Sequence, residues 1–297
     1  MDHIGEIAAF ATSFCWTITS IAFEKAGRKV GSYSVNIIRL FIAIIFISIY
    51  TILFRGMPFP ADAPAHAWIW LSVSGFVGFV IGDLLLFESL VRNGSRITML
   101  IMASVPLITG ILSYFVLNEL MTANQIIGML IVLAGIVLVI IKKDSMSGQM
   151  ILSHPLKDLM FAVGGAVGQA TGLILSKFGM ADYDPIASTQ IRIIAAIIGF
   201  SLVFTIRKDW HKVKRSLSNI AAMKYIVVGS FFGPTLGVSL SLIAVKYTNP
   251  GIAATLMSLT PIIIIPFAIF YLKEKMDFKE IIGAFIAVFG VAFIFMT

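Results

Sequence analysis

Apolar runs long enough to cross a lipid bilayer follow one another along almost the whole chain. A spanning helix needs about 20 predominantly apolar residues. Ten runs of that order are set apart by polar residues, Gly or Pro: 4–23, 34–54, 68–90, 97–117, 125–141, 156–178, 186–206, 225–245, 251–272 and 280–295. Ten spans of about 20 residues occupy roughly 200 positions, so a chain of 297 has no stretch left for a soluble domain. Backbone polar groups in lipid must pair within the structure, which admits only helices or closed barrels. Barrel strands are short and alternate in polarity, whereas 126–141 is continuously apolar. The predicted fold class is an all-α integral membrane protein with ten transmembrane helices. The first run lacks a basic leader and a small-residue cleavage site, so it reads as a retained helix and not a signal peptide.

Composition narrows the chemistry. Charged residues make up 12% of the chain, against about 25% in soluble domains, and His3, His66, His154 and His211 all lie outside the apolar runs. No haem or zinc site is legible, no cofactor is expected, and Cys15 is the only cysteine, a buried thiol on the simplest reading. An embedded enzyme would need a nucleophile with a base, or a metal cluster, within the spans. The phosphate-cradling Gly-x-x-x-x-Gly-Lys-Ser/Thr loop of ATP-driven pumps does not occur. A channel would line a continuous polar pore with rings of charge or carbonyls; a lone Asp83 argues against it.

The two halves repeat. At a shift of 155, Gly78, Gly82, Met102, Pro106, Leu117, Glu119, Met121, Gly128 and Gly135 align with Gly233, Gly237, Met257, Pro261, Leu272, Glu274, Met276, Gly283 and Gly290. At shifts of 152 to 153, residues 23–27 (Phe-Glu-Lys-Ala-Gly) meet 175–179 (Leu-Ser-Lys-Phe-Gly), and Ile38-Arg39 meets Ile191-Arg192. The expected units are 1–148 and 149–297. Each holds five runs, an odd number, so the second must enter the membrane from the opposite side. Inverted repeats of this kind are a plan of secondary transporters, with substrate near the midplane and access alternating.

Arg39 and Arg192 early in the second helix of each half, Pro followed by Leu-x-Glu (Pro106 with Leu117-Asn118-Glu119, Pro261 with Leu272-Lys273-Glu274), and the Gly-rich last helices (Gly128 with Gly135, Gly283 with Gly290) resemble the EamA-type transporters of the drug/metabolite transporter superfamily. The resemblance spans nearly the full length through short motifs. It implies a secondary carrier, an exporter or exchanger, of a small polar metabolite such as an amino acid or amine, in a prokaryotic cytoplasmic membrane. The first, third and fourth helices of each half would surround the cavity. The partners implied are a small-molecule substrate, membrane lipid and a proton as coupling-ion candidate, with no nucleic acid, in a monomer or homodimer. The alternatives are a channel or facilitator for small solutes and, behind it, an embedded enzyme.

Ionisable residues inside spans are default functional candidates. Asp83 lies about four residues past the centre of the third run, so about 6 Å from the midplane. Its repeat partner is Val238, so the shared fold does not require the charge. Asp83 is expected to bind a cationic or zwitterionic substrate or to carry the coupling proton; the alternative is a structural carboxylate. Glu88 is about 140° around the helix from Asp83 and is placed to pair with Arg92 at i,i+4. Arg39 and Arg192 are expected to reach Glu274 and Glu119 as latches at opposite faces, or else to snorkel separately. Pro106 and Pro261 free carbonyls at Met102 and Met257, so Met102, Met257, Ser258 and Thr260 are cavity candidates or mark plain kinks. Trp16 and Gln169, on the first helix of each half, would supply an aromatic wall and an amide, with core packing the alternative for Trp16. Trp68, Trp70 and Trp210 suit interfacial anchors. Ser74, Gly78 and Gly82, Gly229, Gly233 and Gly237, and Gly164, Gly168 and Gly172 form small-residue faces for close helix approach, either static or allowing the third, sixth and eighth helices to rock.

The net charge of +7 resides mostly in connections. Odd-numbered connections carry seventeen Lys and Arg and the other side three, Arg55, Lys177 and Lys246, with Arg39 and Arg192 inside spans completing the twenty-two. That bias places the odd connections in the cytoplasm and both termini outside. The resemblance implies termini inside.

Overall fold

The computed structural model describes residues 3–117, 122–143, 150–248, 253, 256–270, 273 and 277–294. The helices are α1 (Ile4–Val30), α2 (Ser32–Arg55), α3 (Ala65–Gly75), a π-helical segment (Phe76–Gly82), α4 (Asp83–Met102), α5 (Val105–Leu117) and α6 (Ala123–Ile140). An antiparallel pair, β1 (Ile141–Lys143) with β2 (Met150–Leu152), leads to α7 (Leu156–Met180), α8 (Pro185–Arg207), α9 (Trp210–Leu217) and α10 (Ile220–Ser230). A second π-helical segment (Phe231–Gly237), α11 (Val238–Tyr247), α12 (Thr260–Phe270) and α13 (Phe278–Ile294) follow. Among the described residues six helices are long and apolar enough to cross a membrane, accompanied by shorter apolar helices at Ile126–Ile140 and Thr260–Phe270.

Local chemistry sets the ends. Asp184 caps α8 by accepting from the Ala187 amide at 2.8 Å, with Pro185 opening the helix. Asn219 caps α10 in the same way through Ala222 at 3.0 Å. Helical bonding runs without a gap from Ala65 to Met102, 38 residues, about 57 Å at 1.5 Å per residue and far more than the ~30 Å of hydrocarbon. Gly94 divides it: at φ 78° it leaves the helical region, which a residue without Cβ does at little cost. The Glu24 carboxylate accepts from the Ser95 amide at 2.6 Å and so caps the returning segment. The two prolines also mark breaks. Residues 103–104 and 258–259 form turns, leaving Pro106 and Pro261 as the second residues of α5 and α12, where no helical N–H is needed.

Packing follows the repeat. Along the joint of α6 and α13, a Cβ built on Gly135 would lie 2.7 Å from the Gly283 oxygen, and one on Gly290 2.9 Å from the Gly128 oxygen. Rising numbers on one helix meet falling numbers on the other, so these two repeat-related helices are antiparallel. A second joint occurs twice. Gly82 and Gly78 lie against Gly168 and Gly172 of α7, while Gly237 and Gly233 lie against Cys15 and Thr19 of α1. Adding 153 to Cys15 and Thr19 gives Gly168 and Gly172, the same joint in the other half. The glycine faces of the third and sixth runs thus meet each other, whereas that of the eighth meets α1 and not the sixth. Phe23, Leu40, Phe79, Phe87, Ile193 and Phe200 fill the central core. Ile45, Leu53, Phe54, Ile198 and Ile206 stay exposed on the outside of α2 and α8, as a lipid-facing surface requires.

Candidate functional site

Four elements deliver polar side chains to one point between the halves. The first π-helical segment ends at Asp83, α2 supplies Arg39, α7 supplies Gln169 and α8 supplies Arg192. π-Helical turns concentrate at functional sites, and here the two segments coincide under the repeat, since 76 and 82 plus 155 give 231 and 237. Asp83, Arg39 and Arg192 are 3%, 3% and 4% exposed. Burial of that degree makes each charge costly unless it is paired.

The pairing is uneven. Arg39 Nη2 donates to Asp83 Oδ2 in a short ion pair, and Gln169 Nε2 donates to Oδ1 at 2.5 Å. Arg39 Nε donates to Asn36 Oδ1 at 3.2 Å, and Asn36 Nδ2 donates to the Asp83 main-chain oxygen at 3.2 Å. The Arg39 guanidinium also lies 4.5 Å from the Phe87 ring centre. Arg192 lies 4.5 Å from the Phe79 ring centre, and its Nε has no hydrogen-bond partner among the described residues. Two guanidiniums and one carboxylate leave the cluster with one formal positive charge.

Asp83, Arg39, Arg192 and Gln169 are therefore brought together. Trp16 and Met257 share a separate apolar cluster with Ala8, Ala9, Ala244 and Ala253, Met102 packs half-buried on the central core, and Ser258 is buried in the turn before α12. Glu119 and Glu274 lie outside the described residues; of the two arginines expected to reach them, Arg39 binds Asp83 and Arg192 lies on the Phe79 ring. Glu88 pairs with Arg92 at 2.7 Å and accepts from Ser32 at 2.5 Å, at one end of the bundle. Sequence reasoning missed Asn36 and the ring cage of Phe23, Phe79 and Phe87. It also missed Glu24, which falls just beyond the first apolar run; Asn36, one helical turn before Arg39, was the available signal.

Polar contacts join the halves at both ends, ion pairs at one and the Tyr183 hydroxyl at the other. On one side Arg96 binds Glu280 at 2.6 Å and Arg92 binds Asp158 at 3.1 Å. On the other, Arg55 binds Asp62 at 2.6 Å, and the Tyr183 hydroxyl donates to Asp62 at 2.8 Å, holding that carboxyl below the usual aspartate range. Lys246 Nζ reaches the main-chain oxygens of Asp182 and Tyr183 at 3.3 and 3.4 Å.

Stacked apolar helices in two repeats, closed around a buried ion cluster, define a multi-pass membrane transporter. The chain belongs to the EamA-like transporter family, whose profile matches it twice, over residues 3–141 and 156–296. It is similar to an uncharacterized transporter of Archaeoglobus fulgidus, 23% identical over 96% of this chain and 95% of that one. It also resembles the uncharacterized transporter YyaM of Bacillus subtilis, 31% identical over 39% of this chain and 37% of the other. A crystal structure of a protein 15% identical in sequence superposes with a TM-score of 0.69, over 99% of this chain and 96% of the other, and so shares its fold.

Proposed function

We propose that the protein is a ten-helix secondary carrier, built of two inverted five-helix repeats, that exports or exchanges a small polar metabolite by alternating access around the Asp83 cluster. One observation carries this reading: two arginines related by the repeat lie against one ring, Phe79, at 5.8 and 4.5 Å, and only Arg39 holds the single carboxylate, Asp83, which the repeat does not duplicate. With Asp83 on Arg39 the halves are unequal. The mirror arrangement, with Asp83 on Arg192, exchanges the roles of the halves, as an inverted-repeat carrier must do when it opens to the other side. The glycine joints of α3–α4 with α7 and of α10–α11 with α1 are the surfaces on which the halves rock. A proton delivered to Asp83 Oδ2 breaks the Arg39 pair, which makes the proton the coupling-ion candidate.

Purified protein is first screened for ligands by thermal stabilisation, since a ligand that binds only the folded state raises its melting temperature. The stabilising compound is then tested in proteoliposomes. Saturable counterflow of labelled compound, driven by unlabelled compound on the opposite side, is the expected result. Non-saturable flux without counterflow would replace the carrier with a channel or facilitator.

A further inference from the structure

We propose that the cluster receives a small organic monoanion, whose carboxylate docks on the Arg192 guanidinium beside the Phe79 ring; this rests on the carrier reading above and names its substrate class. The cluster's one carboxylate among the described residues is already in use, since Arg39 holds Asp83 Oδ2 and Gln169 holds Oδ1. Arg192 is 4% exposed, no carboxylate among the described residues pairs with it, and its Nε has no hydrogen-bond partner. The repeat explains why Arg192 lacks the anchor that Arg39 has. Asn36, which anchors Arg39, corresponds at a shift of 153 to Thr189, whose hydroxyl is turned onto the Pro185 carbonyl at 2.9 Å. Gly78 lets the backbone of the π-helical segment pack closely on the guanidinium, for a Cβ built there would lie 3.3 Å from Arg192 Nη2.

An arginine does not relieve this by losing its proton, because it stays charged in proteins. A charge-assisted, two-pronged bond to a carboxylate is the strong complement to a guanidinium fork. The charge count selects among ligands. A monoanion brings the cluster to neutrality, a zwitterion leaves it unchanged, and an amine without an acid group adds a second positive charge in a buried place. A phosphate dianion would overshoot.

The test uses the full-length protein in detergent with acetate, lactate and benzoate as carboxylates, and with ethylamine and benzylamine as amines of matching size. At least one carboxylate is expected to raise the melting temperature in a saturable way, and neither amine is. Arg192→Gln is expected to weaken that carboxylate about tenfold or more, the loss of a charge-assisted bond. Arg192→Lys, which keeps the charge and loses the fork, is expected to fall between, and serves where the glutamine variant does not fold. Stabilisation by an amine alone, by no carboxylate, or equally in wild type and both folded variants overturns the proposal. Counterflow keeps the two readings apart. Saturable counterflow of an amine leaves a carrier and removes the anion, while a carboxylate that stabilises through Arg192 but shows no counterflow leaves the anion site and removes the carrier.

Discussion

Asp83 is the residue on which the cluster depends, because among the described residues it is the only carboxylate paired with either of the two buried guanidiniums. Removing one member of a buried pair leaves the other charge uncompensated, at a cost of about 3–5 kcal/mol. Asp83→Asn is therefore predicted to lower unfolding stability in micelles by about 3 kcal/mol or more, and adding Arg39→Gln to restore part of it, because neighbouring sites are not additive. A variant as stable as wild type would show that the pair contributes nothing. The burial of Asp83 was legible in the sequence from its depth in a span. Its partner was not: symmetry pointed Arg39 to the recurring Glu274, whereas its contact with Asp83 at the centre of the bundle is settled by the four elements that meet there. Asp62 behaves differently. Its carboxyl is held below the ordinary value of 3.8 by Tyr183, so its contribution is complete above that value and is lost only as pH falls below it. Replacing it with Asn is predicted to leave the shape of any transport pH profile between pH 5 and 8 unchanged; a shifted profile would make Asp62 a titrating gate.

At the scale of elements, the sequence made the repeat and the small-residue faces plain, because Gly and Pro held in register are conspicuous among aliphatic residues. Which faces touch was less legible, since a glycine marks that a neighbour comes close without naming the neighbour. The π-helical turns had no separate signature beyond the recurring Gly78–Gly82 and Gly233–Gly237 spacing. At Gly82 an added Cβ would already stand 3.2 Å from the Gly168 backbone, so the longer Leu side chain must push α4 and α7 apart. Gly82→Leu is predicted to fold and bind ligand while losing counterflow, which assigns the joint to motion; loss of folding together with binding would make it static packing.

For the whole molecule, polar contacts between the halves close both ends, the ion pairs Arg96–Glu280 and Arg92–Asp158 on one side and the hydrogen bonds of the Tyr183 hydroxyl with Asp62 and Arg55 on the other. A carrier alternates by opening one such set while the other holds. The excess of basic residues on the odd connections predicts that this side is cytoplasmic. An impermeant thiol reagent should then label Thr297→Cys, in a Cys15→Ala background, on intact cells. Labelling only after permeabilisation would place the termini inside. The most direct test of rocking about the Asp83 cluster is pulsed electron paramagnetic resonance on spin-labelled cysteine pairs, Lys29 with Lys279 for one face and Ala61 with Asp182 for the other. Two distance populations are predicted at each face, with Asp83→Asn lengthening the distances at one face as it shortens them at the other; a single population at both faces, unmoved by the substitution, would contradict the account.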